Sequence, residues 1–166
     1  MGEVIEDYRL AAATLQNLVD VVGEADWARS ALRPAFTIRD LVNHVVAGHV
    51  FLGAMARGEQ PPAWTADHVG DDPLAALRAA TEGLVRMAAA PGDLFRKVPT
   101  PLGEQAFMFI VVILTNELWL HAWQLSRVVD VSLDPPLAAC VLTSLAAAQT
   151  WKLTEPGLLD WGSLRG

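Results

Sequence analysis

Ile110-Val111-Val112-Ile113-Leu114-Thr115-Asn116-Glu117-Leu118-Trp119-Leu120-His121-Ala122-Trp123-Gln124-Leu125 reads as one amphipathic helix with an anomaly on its apolar face. At about 100° per residue, Ile110, Leu114, Leu118 and Leu125 share an arc. Glu117 and His121 fall inside that arc, one turn apart, so their side chains meet. An ionised carboxylate on a core face costs several kcal/mol, roughly, unless it is paired or bound to a cation.

A second helix answers the first. Thr37 begins it, and Asp40 three residues on resembles the acidic half of a capping box. Leu41, Val45, Gly48, Phe51, Leu52 and Met55 form its core arc, with His44 among them. No basic residue sits on either arc: Arg39 and Arg57 lie outside it, and Arg127 comes late in the other helix. Two imidazoles and one carboxylate form a standard divalent-metal set that leaves a coordination position open. The competing reading is a hydrogen-bonded core histidine and glutamate. With N and O donors only, the set suits Zn foremost, then Ni, Co, Fe or Mn.

Outward from these two helices, breakers divide the rest into segments. Gly2 to about Trp27 carries Tyr8, Leu15, Leu18 and Val22 at helical spacing. The second segment stops at Arg57-Gly58, and a loop from Pro61-Pro62 runs to Gly70. Asp71-Asp72-Pro73 starts a third helix that ends at Ala90-Pro91-Gly92. Asp93 to Gly103 is loop or short extended structure, and the fourth helix spans about Glu104 to Val129. A fifth follows Asp134-Pro135-Pro136 to about Trp151, then an irregular tail. The expected fold is all-α: an up-down-up-down four-helix bundle with a short C-terminal helix and tail, one domain over residues 1–166.

Bulk properties narrow the partners. Net charge is −7, with only 12 Lys+Arg spread along the chain, so no basic face for nucleic acid or anionic membrane is expected. The apolar run Phe107 to Leu114 is short for a bilayer and is followed by Asn116 and Glu117. Cys140 is the only cysteine, which excludes an internal disulfide and a thiolate cluster. A cytoplasmic protein is expected, since the acidic N-terminus lacks a signal-peptide pattern. A hydrophobic fraction of 52% and six Trp leave room for a cavity or a homodimer interface.

Thr37-Ile38-Arg39-Asp40-Leu41-Val42-Asn43-His44 and Glu117-Leu118-Trp119-Leu120-His121-Ala122-Trp123-Gln124-Leu125-Ser126-Arg127 together resemble the DinB-like metal-binding superfamily, and within it the mycothiol-dependent maleylpyruvate isomerase N-terminal group. Asp72-Pro73-Leu74 and the Pro101-Leu102-Gly103 turn also match, so the resemblance covers roughly Leu10 to Asp130. It implies a four-helix bundle with a metal held by one His from helix two and a Glu/His pair from a later helix, here His44, Glu117 and His121. The family often has Trp where Phe36 stands and Asp where Gln124 stands.

The functional expectation is a divalent-metal-dependent small-molecule enzyme, a mycothiol-type thiol S-transferase or isomerase with an open site. The metal would deprotonate a bound thiol and polarise the electrophile. Three alternatives stand beside it: a hydrolase or lyase using bound water, a metal-binding or ligand-sensing module without turnover, and a helical interaction protein with a degenerate site. Other residues carry weaker expectations. His49, Trp123 and Arg127 are candidates for substrate contact, and Asp40 and Gln124 for orienting the ligands. Trp119 and Trp123 are read foremost as packing residues, with a pocket wall as the alternative for Trp123 and a subunit contact for Trp119. Arg78 and Arg86 suggest a solvated helix face or an acidic group, and His68 with Asp67, Asp71 and Asp72 a solvated loop rather than a second metal site.

Overall fold

The computed structural model describes residues 2–33, 36–90, 92–100 and 103–133, with only the backbone described at 32 and 33. Its helices are α1 (Gly2–Asp20), α2 (Ile38–Ala56), α3 (Pro73–Met87) and α4 (Phe107–Val128). Two antiparallel ribbons accompany them: β1 (Ser30–Arg33) with β2 (Phe36–Thr37), and β3 (Lys97–Thr100) with β4 (Gly103–Ala106). Each ribbon leads directly into a helix that carries candidate ligands. The expected all-α bundle is therefore present, while the expected fifth helix and tail lie outside the described residues.

The helices enclose one core. α1 packs on α4 and α3, and α2 packs on α4 and α3, so the successive helices α1 and α2 sit on a diagonal. A short hairpin cannot span that diagonal, which accounts for the long link between them. α1 ends at Asp20, earlier than its periodicity suggests, because Val21-Val22-Gly23 disfavours helix and Glu24–Asp26 turns as a 3₁₀ segment. Residues 104–106, expected to be helical, form β4 instead. Lys97 opposes Ala106 and Thr100 opposes Gly103, whose φ of 91° closes the ribbon.

Local chemistry sets the helix ends. The Thr37 hydroxyl accepts from the Asp40 backbone N–H at 3.1 Å, and the Asp40 carboxylate accepts from the Thr37 backbone N–H at 2.8 Å, a complete capping box. Gly58, at φ 72°, ends α2, with its N–H on the Met55 carbonyl and the Glu59 N–H on that of Ala54. Thr37→Ala is expected to lower stability by about 1 kcal/mol, read as a shift in the urea midpoint with an unchanged slope.

α4 is the central helix. Phe107, Ile110, Val111, Leu114, Leu118, Trp119, Ala122 and Leu125 are all buried along it. By length and composition it could cross a membrane, but half of its apolar window is buried inside the fold. Ala11 and Ala12 of α1, both buried, let that helix approach closely. Tyr8 is fully buried and its hydroxyl donates to the Thr81 carbonyl, tying α1 to α3.

Candidate metal centre

α2 and α4 pack so that His44 faces Glu117 and His121. The Glu117 Oε2 lies 3.3 Å from His121 Nε2 and 3.7 Å from His44 Nε2. The two imidazoles stand edge to face at 5.1 Å between centroids. One donor atom from each residue lies within 4.8 Å of the others, and this is the sole grouping of its kind among the described residues. The His121 side chain is 8% exposed, His44 14% and Glu117 20%, so the cluster opens on the His44–Glu117 side.

Protonation is constrained by the neighbours. The His121 Nδ1 lies 2.8 Å from the Gln124 side-chain oxygen, and an amide oxygen can only accept. The proton therefore sits on Nδ1, which leaves the Nε2 lone pair pointing inward. That Nε2 is buried and has no hydrogen-bond partner among the described residues. A lone pair 3.3 Å from an ionised carboxylate is repulsive unless a proton or a cation lies between them. Burial raises the pKa of Glu117, but a proton held on the facing nitrogen of His121, then of His44, outweighs it and keeps the carboxyl at about 2. A divalent cation can stand in place of that proton, and the donors present fit one.

The other sequence candidates fall elsewhere. Gln124 does orient His121, as expected for a residue outside the ligand set. Asp40 is turned to Thr37, so the alternative in which it orients His44 gives way to its capping role. His49 is 4% exposed rather than at a cavity mouth: the buried face of α2 runs through Leu41, Val42, Val45, Val46 and His49, rotated from the arc read in the sequence. Its Nδ1 donates to the Val45 carbonyl, and its ring stacks at a tilt on Tyr8 with centroids 6.0 Å apart.

The expected packing role holds for Trp119 and not for Trp123. Trp119 is fully buried and Trp123 is 40% exposed, because α4 is enclosed by α1 as well as α2 and so has no free back face at Trp119. Arg127, Arg78 and Arg86 are exposed. His68 locks its loop through Ala63 and Asn43, and Asp67 accepts from Val69, Gly70 and Arg39. Cys140 lies outside the described residues.

Two aromatics stand beside the centre: Phe36, noted in the sequence only as a departure from the family's Trp, and Trp64, which the sequence reading did not single out. Trp64 approaches His44 edge-on at 5.6 Å and Phe36 at 6.4 Å. The signal for Trp64 was Gly48, one turn after His44: a Cβ there would meet the indole Cη2 at 3.4 Å. A glycine inside a helix costs about 1 kcal/mol relative to alanine, and here it seats a ring.

Burial lowers the pKa of His49 to about 4, against smaller opposing effects of the Val45 carbonyl and Glu117. The unfolded chain therefore takes up this proton first as pH falls. Stability is expected to drop between pH 6.5 and 4, by about 3 kcal/mol at roughly 1.4 kcal/mol per pKa unit. Urea titrations across that range check this, and His49→Gln should flatten the slope.

A bundle whose core holds two histidines and a glutamate, with one lone pair unsatisfied, defines a helical protein with a candidate metal centre. The chain belongs to the mycothiol maleylpyruvate isomerase N-terminal domain family, whose model matches residues 8–126. Two uncharacterised proteins of Mycobacterium tuberculosis, from strains CDC 1551 / Oshkosh and ATCC 25618 / H37Rv, are each 35% identical over 125 residues. Those residues are 74% of this chain and 66% of each relative, just under two thirds of the relative's length. A crystal structure of a histidine-to-alanine mutant of mycothiol-dependent maleylpyruvate isomerase superposes with a TM-score of 0.63 at 19% identity. It covers 94% of this chain and 72% of the isomerase chain, which establishes the shared helical fold.

Proposed function

We propose that His44, Glu117 and His121 hold a divalent metal, and that the protein joins a low-molecular-weight thiol of the mycothiol type to a small electrophile, as an S-transferase or isomerase. The observation that carries this reading is the buried His121 Nε2, which has no hydrogen-bond partner among the described residues and lies 3.3 Å from the Glu117 carboxylate. The family's description and the mycothiol-dependent structural neighbour support the choice of thiol.

When bound, the metal would supply Lewis acidity and lower the pKa of a coordinated thiol. The chain's own residues do the rest. Glu117 contributes the negative charge that draws a cation into a largely buried site. Gln124 holds the Nδ1 proton and so presents Nε2 as the donor atom. Trp64 and Phe36 flank His44 and limit access of water.

The test is metal content of untagged, chelator-free protein, followed by thiol addition to the Co(II)-loaded form. Near-stoichiometric metal and a thiol-dependent change in the visible spectrum are expected. Absence of metal after incubation with Zn, Ni, Co and Mn would overturn the metal site. A spectrum unchanged at saturating mycothiol would overturn the thiol.

A further inference from the structure

We propose that the open side of this centre takes a neutral, planar, apolar group, so that the electrophile is aromatic or conjugated rather than a small dianion. This rests on the metal reading above and names the substrate class for the same site.

The argument starts from what surrounds the exposed edge. The cluster is accessible beside His44 and Glu117, and the two half-buried rings of Phe36 and Trp64 flank His44. Phe51 extends this wall, edge-on to Trp64 at 5.5 Å. A molecule reaching the metal on this side passes aromatic faces and edges, which favour a second flat ring or conjugated system.

The wall is preorganised. The Trp64 loop is fastened to α2, with the Asn43 amide donating to the Ala66 carbonyl at 3.0 Å and accepting from the His68 N–H at 2.7 Å. Gly48 leaves the space into which the indole edge fits. Charge points the same way: the Glu117 carboxylate already stands at the centre, and Arg39, on the same helix as His44, is engaged by Asp67 and the Gly70 carbonyl.

Three hydroxamates test this on the Co(II)- or Zn-loaded protein, since each carries the same metal-binding head: benzohydroxamate, acetohydroxamate and the anionic succinic monohydroxamate. Benzohydroxamate is expected to bind at least about tenfold tighter than acetohydroxamate, and the anionic probe weakest. Trp64→Ala should remove most of that preference, and Trp64→Phe should restore part of it. Phe36→Ala serves as a second variant on a different element, and melting curves confirm that each variant is folded. Equal affinities for the phenyl and methyl probes, or tighter binding of the anionic one, overturn the inference while the metal reading stands. So does a preference that survives both alanine variants. Failure of the parent to bind metal overturns the metal reading and this inference with it.

Discussion

His121→Ala is expected to weaken divalent metal binding by more than about a hundredfold. Loss of a residue that only orients a ligand costs roughly 10–100-fold, and His121 is assigned as a ligand. Its Nε2 is buried, 3.3 Å from Glu117 and without a hydrogen-bond partner among the described residues, so alanine removes a donor that no described neighbour replaces. Gln124→Leu is the graded control. It keeps Nε2 but frees the tautomer, and a loss of about tenfold or more is expected. Competition titrations with a chromophoric chelator read both. Unchanged affinity in His121→Ala would remove this residue from the site. The metal-free protein offers an independent reading. Glu117 contributes stability that is fully present above the usual carboxylate pKa and is lost as pH falls from about 4.5 toward 2. Without His121 its pKa rises toward that of a buried acid, so acid unfolding should begin at a higher pH.

Trp119→Ala should cost about 3–5 kcal/mol, the largest stability loss from any single side chain of α4. Trp119 is the bulkiest fully buried residue, and it lies on the central helix between α1 and α2. Its indole N–H has no partner among the described residues, so Trp119→Phe removes an unsatisfied donor together with some volume and should cost far less. Urea unfolding of both variants checks the ordering. A loss below about 1 kcal/mol for the alanine variant would mean that the core collapses around the gap. Measured together, the tryptophan and histidine variants separate stability from metal binding.

Much of the ligand constellation was legible because it rests on local periodicity. Glu117 and His121 share a face at any four-residue spacing in a helix, and His44 is bracketed by Leu41 and Val45. The capping box at Thr37 and the stop at Gly58 were also readable, since both depend on residues within one turn. Prolines and glycines located the segment boundaries, although they could not distinguish loop from ribbon at residues 97–106.

The errors share one cause. A helical wheel shows which residues align but not which neighbours lie on each side. A subunit contact was an alternative for Trp119 because it points away from His121, yet α4 is enclosed on more than one side and the packing reading is the one that holds. His49 was a candidate for substrate contact because the buried face of α2 is rotated from its apparent arc. Trp64 comes from a loop with no periodicity, and only its seat on Gly48 reveals it.

The sequence by itself determined the all-helical class, the ends of α2 and the three residues proposed to hold a metal, because each of these follows from contacts within a turn or two of chain. Only the tertiary structure decided that α1 and α2 are diagonal, that His49 is buried against Tyr8 and that an aromatic wall stands beside His44. Those facts depend on how helices and loops distant in sequence are brought together, and packing across the bundle, rather than propensity along it, sets that arrangement.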